Sequence, residues 1–310
     1  MIGKIGKLGI LVVWTAVALL AVGLLVLSYS EVGLATPVGN GGRILVDYNL
    51  SDVPQLVTED AVELAEELFG DNQEKYVDFV DQLLASYMEA EDKDFVVLFN
   101  SGGWGWNLLD KTPGWHSILK GIESELDNLG YTAVLLNYRR TSETLWGCIE
   151  EFVEVTAKYP SKAEGLARRV EFITAHIPEV RIIIAGESNG TLISDSTMKL
   201  LQDNSQVYSI QTGIPFWHKP VMLERTLVVN SNGTAPDSFS DGDIPTMLRV
   251  NFGDWLGVSQ SEENPGTILS WLRAPGHDYS WQYPEVYSRI VEFLETSFGV
   301  KQRQVIGLGG

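Results

Sequence analysis

Five residues, Gly186-Glu187-Ser188-Asn189-Gly190, have the types and spacing to present a nucleophile. A serine hydroxyl at its free pKa attacks carbonyl carbon poorly. It needs a base beside it, held in turn by a third group. The pattern G-x-S-x-G gains meaning when a strand precedes it and a helix follows, because the turn must lift one hydroxyl above a sheet. Both are expected here. The β-branched run Ile182-Ile183-Ile184 ends in Ala185, and Thr191 to Leu201 has helical composition. The two glycines leave room where a Cβ would collide with neighbouring strand and helix, and they tolerate strained φ/ψ. The helix start adds a positive dipole end and free N–H groups where an oxyanion would form. An ordinary βα turn is the bland alternative.

The elements that must position this turn are legible on either side of it. Strands are expected at Phe95–Phe99, Tyr131–Leu136, Val207–Gln211, Thr226–Val229, Met247–Asn251 and Ile268–Arg273, with an edge strand at Arg43–Tyr48. Apolar positions at helical spacing predict helices near Thr58–Leu68, Gln73–Met88, Trp115–Leu129, Ser142–Tyr159 and Ser161–His176. A last helix, Pro284–Phe298, carries proline in its first turn. Alternating strands and helices predict an α/β fold: a mostly parallel sheet with helices on both faces.

Ahead of this domain, Leu8 to Ser28 is an uncharged run of 21 residues, long enough for one helical crossing of a bilayer. Lys4 and Lys7 precede it, and Glu31 is the first acid. The positive-inside rule then predicts a single-pass membrane protein, its amino terminus cytoplasmic and its domain extracytoplasmic. A cleaved signal peptide competes, with Ser28-Tyr29-Ser30 as the cleavage site, but the run exceeds the usual signal-peptide core. The expected layout is 1–30 as tip and transmembrane anchor, 31–42 as linker, and 43–310 as the α/β domain.

Composition narrows the function. A net charge of −19 argues against nucleic acid as a partner and against a surface lying on anionic lipid. Cys148 is the only cysteine, so neither an intrachain disulfide nor a Cys-rich zinc pattern is available. Four histidines without an H-E-x-x-H arrangement give no metal site. No G-x-G-x-x-G follows the first strand, so no nicotinamide or flavin cofactor is expected, and none is needed by a serine nucleophile.

From Phe95 to Phe298 the chain resembles the α/β-hydrolase superfamily, of the serine esterase and lipase kind. Four stretches carry the resemblance: the Ser188 elbow; Asn100-Ser101-Gly102-Gly103, where the family often has His-Gly-x-Gly; Asn137-Tyr138-Arg139 closing a strand; and Ala274-Pro275-Gly276-His277 before the last helix. The departure is Asn100-Ser101 in place of His-Gly, which leaves the subfamily and substrate open.

The resemblance implies the chain order Ser, acid, His. His116 and His176 precede Ser188 and read as surface or capping residues. His218, within Phe216-Trp217-His218-Lys219-Pro220, reads as a pocket-lining residue, and His277 has the order and position of the base. Asp254, past the expected strand Met247–Asn251, is chosen as the acid, with Glu262 and Glu263 as substitutes on the same loop. The oxyanion donors implied are the N–H groups of Asn189 and of Gly102, with Gly103 as second choice. Trp104, Trp106, Trp217, Trp255 and Trp281 lie just beyond expected strand ends, where such sheets bind ligands, and are the candidate walls of a substrate pocket. Residues Gly213 to Asp243 read as an insertion over that pocket. The expected function is a membrane-anchored serine hydrolase cleaving a small-molecule or lipid-like carboxylic ester, or less readily an amide, through an acyl-enzyme. The alternative is a non-catalytic α/β-hydrolase-like binding domain.

Overall fold

A computed structural model describes residues 33–35, 50–70, 73–105, 112–139, 151, 153–157, 159–256, 266–269 and 272–299. Its main sheet has six strands in the order β1-β3-β2-β4-β5-β6. These are β1 Gly33–Ala35, β2 Phe95–Asn100, β3 Ala133–Arg139, β4 Arg181–Glu187, β5 Val207–Thr212 and β6 Thr226–Val229. All neighbours pair in parallel except β1, which runs antiparallel to β3 along one edge. A separate antiparallel hairpin joins β7 Thr267–Leu269 to β8 Leu272–Arg273.

The central strands are buried on both faces, which is why their sequences read as continuous apolar runs. Side chains alternate across them. Val96 and Leu98 of β2 with Ile182 and Ile184 of β4 face one core. That core is completed by α1 Gln55–Phe69, α2 Gln73–Ala90, α4 Pro160–His176 and α5 Gly190–Leu200. Phe95, Val97, Phe99, Ile183 and Ala185 face the other core, closed by α3 Pro113–Asn128 and α7 Pro284–Phe298. Helix α7 shows how periodicity becomes packing. Pro284 fixes its first turn, and Val286, Ile290, Leu294 and Phe298, spaced by four, all bury against the sheet.

Three expectations change. Met247–Asn251, read as a strand, lies inside helix α6, Ile244–Trp255. Its start is set by Asp243, whose Oδ1 accepts the Thr246 N–H at 3.1 Å, and by Pro245 in the first turn. Ile268–Arg273, read as one strand, is the β7–β8 hairpin. Gly33–Ala35, within the stretch read as linker, forms an edge strand, with Gly33 opposite Arg139. The proposed strand Arg43–Tyr48, most of the helix expected at 142–159, and the apolar run Leu8–Ser28 lie outside the described residues. No helix among the described residues is long and apolar enough to cross a membrane.

Candidate active site

The chain passes from β2 out to β3 and then back across β2 to β4. The connections after β2 and β4 therefore leave in opposite directions, a topological switch point, and open sheets bind ligands at the carboxyl ends of the strands there. Ser188 sits there, immediately after β4. Its φ is +50°, a left-handed conformation that a serine holds only when its surroundings impose it. Those surroundings are tight. A Cβ on Gly190 would stand 2.2 Å from the Asn100 carbonyl oxygen, and one on Gly186 would stand 2.6 Å from Ser194 Oγ. Gly190 is thus required by the close approach of α5 to the end of β2, and Gly186 by that of α5 to β4. Asn100 adds a tie, its Nδ2 donating to Ser194 Oγ at 2.9 Å. Asn100 therefore braces the loop to the elbow helix. Ser188 is buried, and its Oγ has no hydrogen-bond partner among the described residues; neither has Asn189 Oδ1.

The Ser188 N–H donates to the carbonyl of Thr212, the last residue of β5. Gly213, next along, has φ +65°, and a Cβ there would lie 2.5 Å from His277 Cε1. Serine and histidine are thus brought to consecutive residues at one strand end. Trp115 Nε1 fixes that end from below by donating to Thr212 Oγ1 at 3.0 Å.

The carboxylate hydrogen-bonded to His277 is Asp237, where the sequence points to Asp254. Its Oδ2 lies 2.8 Å from His277 Nδ1, and both side chains are almost wholly buried. Asp237 Oδ2 also accepts the Tyr279 hydroxyl at 2.6 Å and Ser240 Oγ at 2.9 Å. Its Oδ1 accepts the N–H groups of Phe239 and Ser240, an Asx turn. Burial alone would raise the Asp237 carboxyl. The His277 hydrogen bond and charge, with Tyr279 and the Ser240 N–H, outweigh it and hold the carboxyl below its ordinary value. Burial, followed by the neighbouring Asp237 charge and hydrogen bond, pushes the Tyr279 hydroxyl well up, so it stays a donor.

Asp254 lies in the last turn of α6. The difference follows from the strand expected at Met247–Asn251: an acid placed after that strand falls on α6, whereas the last strand of the parallel sheet is β6. The segment after β6 carries Pro236-Asp237-Ser238, whose aspartate begins a turn, and that was the available signal.

Gly102 is packed against the elbow, where an added Cβ would stand 3.1 Å from Ser188 Cβ. Its N–H points at Glu187 Oε2, 3.3 Å away. Asn189 holds the N-cap position of α5. Of the tryptophans, Trp217 reaches the site indirectly. Its ring packs edge-on against Phe239 at 5.2 Å, and Phe239 packs against the His277 ring at 4.9 Å. Trp281 instead lies on Gly121 of α3 and packs against Tyr287, so it belongs to the core's edge rather than to a pocket. Trp104 is half-buried in the loop after β2, while Trp106 and the Trp255 side chain lie outside the described residues. Glu262 and Glu263 do too. Phe239, Tyr279 and Asp237, none of them among the residues expected from sequence, pack around His277.

His116 is exposed on α3, and the remaining two histidines are engaged elsewhere. His176 bridges helices through Asp60 and the Phe172 carbonyl. His218 Nε2 pairs with Asp195 Oδ2 at 2.8 Å. Among the described residues no group of His, Cys, Asp and Glu is placed to hold a metal ion.

The chain is similar to a solved cutinase. That structure, from Trichoderma reesei and in complex with a C11Y4 phosphonate inhibitor, is 15% identical, with a TM-score of 0.35; the match covers 62% of this chain and 81% of that one. A likeness at that level carries nothing about chemistry. No protein-family model and no curated protein matches the chain.

Proposed function

We propose that this chain is a serine hydrolase of the α/β-hydrolase kind, cleaving a carboxylic ester through an acyl-enzyme. The observation that carries the reading is the left-handed Ser188 between a buried strand and a helix. Such strain persists where function requires it. In the reaction His277 takes the Ser188 proton as Oγ attacks the ester carbonyl, and Asp237 orients the imidazole and stabilises its positive charge. His277 then returns the proton to the leaving alcohol. Water, deprotonated by the same imidazole, releases the acid and restores Ser188. The N–H groups of Asn189 and Gly102 are the oxyanion donors, and substrate must draw the Gly102 N–H away from Glu187.

A fluorophosphonate tests this, because only an activated serine reacts with it. Wild-type protein should label. Ser188→Ala should abolish labelling and lower esterase turnover on the order of 10⁴-fold or more, with folding intact. One observation favours the binding-domain reading: the Gly102 N–H is already engaged by Glu187. Folded wild-type protein that never labels would establish that alternative.

The anchor belongs to the same proposal. It rests on the 21 uncharged residues Leu8–Ser28 behind Lys4 and Lys7. The full chain should resist carbonate extraction, and protease outside the cell should reach the acidic domain. A mature protein beginning near Glu31 would replace the anchor with a cleaved signal.

A further inference from the structure

The edge strand β1 fixes where the chain enters the sheet. Because β1 is antiparallel to β3, its first residue, Gly33, stands opposite Arg139 at the carboxyl end of β3. The register carries that level across the sheet: Tyr138 pairs with Asn100, and Asn100 with Gly186. Gly33 is therefore level with Glu187, beside the proposed nucleophile. Three strand spacings separate them, roughly 14 Å. Only four residues, Tyr29 to Val32, lie between the apolar run and Gly33. Fully extended, that stretch spans at most about 18 Å. The chain thus arrives from the apolar run at the catalytic end of the sheet.

The same end carries an apolar surface without a partner among the described residues. Helix α6 buries Met247 against Phe239 and Ala274 and is tied to β8 by Asn251, which exchanges hydrogen bonds with the Arg273 backbone. Its outward row is Ile244, Leu248, Phe252 and, just past its end, Leu256, with exposures of 40%, 52%, 57% and 65%. These follow a spacing of four, one continuous helical row. Phe216 and Trp217, each nearly half exposed, extend it through Gly242 and Phe239 to the ring of His277. Single exposed apolar residues are ordinary, but a contiguous apolar row at a site's rim is not. A second copy of a chain carrying −19 would meet electrostatic repulsion, whereas an uncharged lipid interface would not.

We propose that the domain works face-down on the bilayer that holds its own apolar run. The α6 row with Phe216 and Trp217 rests in the lipid interface, and the site draws a lipid-like ester from the membrane. This rests on the hydrolase and anchor readings above.

The test uses the full chain in phosphatidylcholine vesicles, in a Cys148→Ala background with a dye on Leu248→Cys or, at the opposite end of the sheet, Asp127→Cys. A nitroxide-bearing lipid should quench the dye at position 248 about fivefold more than at 127. Equal quenching at the two positions would overturn the proposal. So would a dye at 248 shielded from both lipid and aqueous quenchers in a dimer, which would assign the row to a second copy. Release of the chain by carbonate would overturn it by removing the tether. The activity arm is separate. Leu248→Glu with Phe252→Glu should lower turnover of a long-chain ester embedded in the vesicles by about tenfold, leaving a soluble short-chain ester within about twofold of wild type. Equal loss on both esters would count against the proposal. If neither ester is turned over by the wild type, the hydrolase reading fails, and the dye positions alone decide the orientation.

Discussion

Two buried histidine–aspartate pairs stand in this molecule, and one of them packs against Gly213, beside the Ser188 elbow. His277 with Asp237 and His218 with Asp195 have equal separations of 2.8 Å and similar burial. They differ in which nitrogen is spent. His277 gives Nδ1 to its carboxylate and keeps Nε2 on the other side of the ring, which packs over Gly213 beside the Ser188 elbow. His218 gives Nε2, and its Nδ1 is buried with no partner among the described residues. The carboxylates differ too. Asp237 collects Tyr279, Ser240 and two backbone N–H groups besides its histidine, whereas Asp195 takes the Val221 N–H. Asp195 stands on α5, so the second pair clips the segment around His218 to the helix that follows Ser188. Pairing alone does not make a base; a nitrogen left over to take a proton is also needed.

Replacing each carboxylate separates the two pairs most sharply. Asp237→Asn removes the charge that stabilises the imidazolium and fixes its tautomer, so turnover near neutral pH should fall on the order of 10³–10⁴-fold. Asp195→Asn should leave turnover within about tenfold, because its histidine spends Nε2 on Asp195 of α5, and should instead lower stability by about 1–3 kcal/mol. Asp254→Asn, on α6, should change neither by much. Esterase rates and thermal melts of the three variants make the comparison, and a catalytic loss larger at Asp195 than at Asp237 would reverse it.

A smaller effect should come from the contact that sets His277 over the elbow. Gly213→Ala puts a Cβ into a φ of +65° and 2.5 Å from His277 Cε1, so the ring must move. Displacing a base by about 1 Å costs on the order of 10²-fold in turnover, while the backbone strain costs about 1–3 kcal/mol. Gly213→Ala should therefore lower kcat far more than KM, whereas His218→Gln should shift the melt and spare kcat.

Much of this arrangement was written in local sequence. The elbow's strand and helix, the brackets of glycine, and His277 before a proline-started helix each depend on residues within a few positions of one another. The pair partner of His277 did not. Met247-Leu248-Arg249-Val250-Asn251 has the composition of a strand, and the Asp243 cap and Pro245 that make it a helix are weaker signals than its apolar content. Read as a strand, that helix moves the expected carboxylate from the turn after β6 to Asp254. Trp281 shows the other limit. Its position past a strand end is legible, but only packing reveals that Gly121 leaves a flat place on α3 for its ring. The β1 edge strand is legible least of all. Three residues, Gly33-Leu34-Ala35, carry no pattern of their own and are ordered by the free edge of β3.

The smallest expected effect concerns the hydroxyl that distinguishes the two carboxylates, that of Tyr279. It donates to Asp237 Oδ2 at 2.6 Å, while its ring stands edge-on to His277 at 5.9 Å. Tyr279→Phe keeps the ring and removes one donor from an ionised carboxylate that retains several others. Turnover should fall only about three- to tenfold, and stability at neutral pH by about 1–2 kcal/mol. The pH dependence follows from sign. The Asp237 carboxyl is held below its ordinary value, so its contribution to stability is complete above the unfolded-state value near 4 and disappears as pH falls through the lower folded value. Loss of the Tyr279 hydroxyl moves the folded value up, towards the unfolded one. Wild type should therefore melt higher than Tyr279→Phe at pH 6, and the gap should narrow as pH falls below about 4. A gap that stays constant down to acid pH would mean that the hydroxyl acts through packing rather than through the charge on Asp237, and the contrast with Asp195 would then rest on geometry alone.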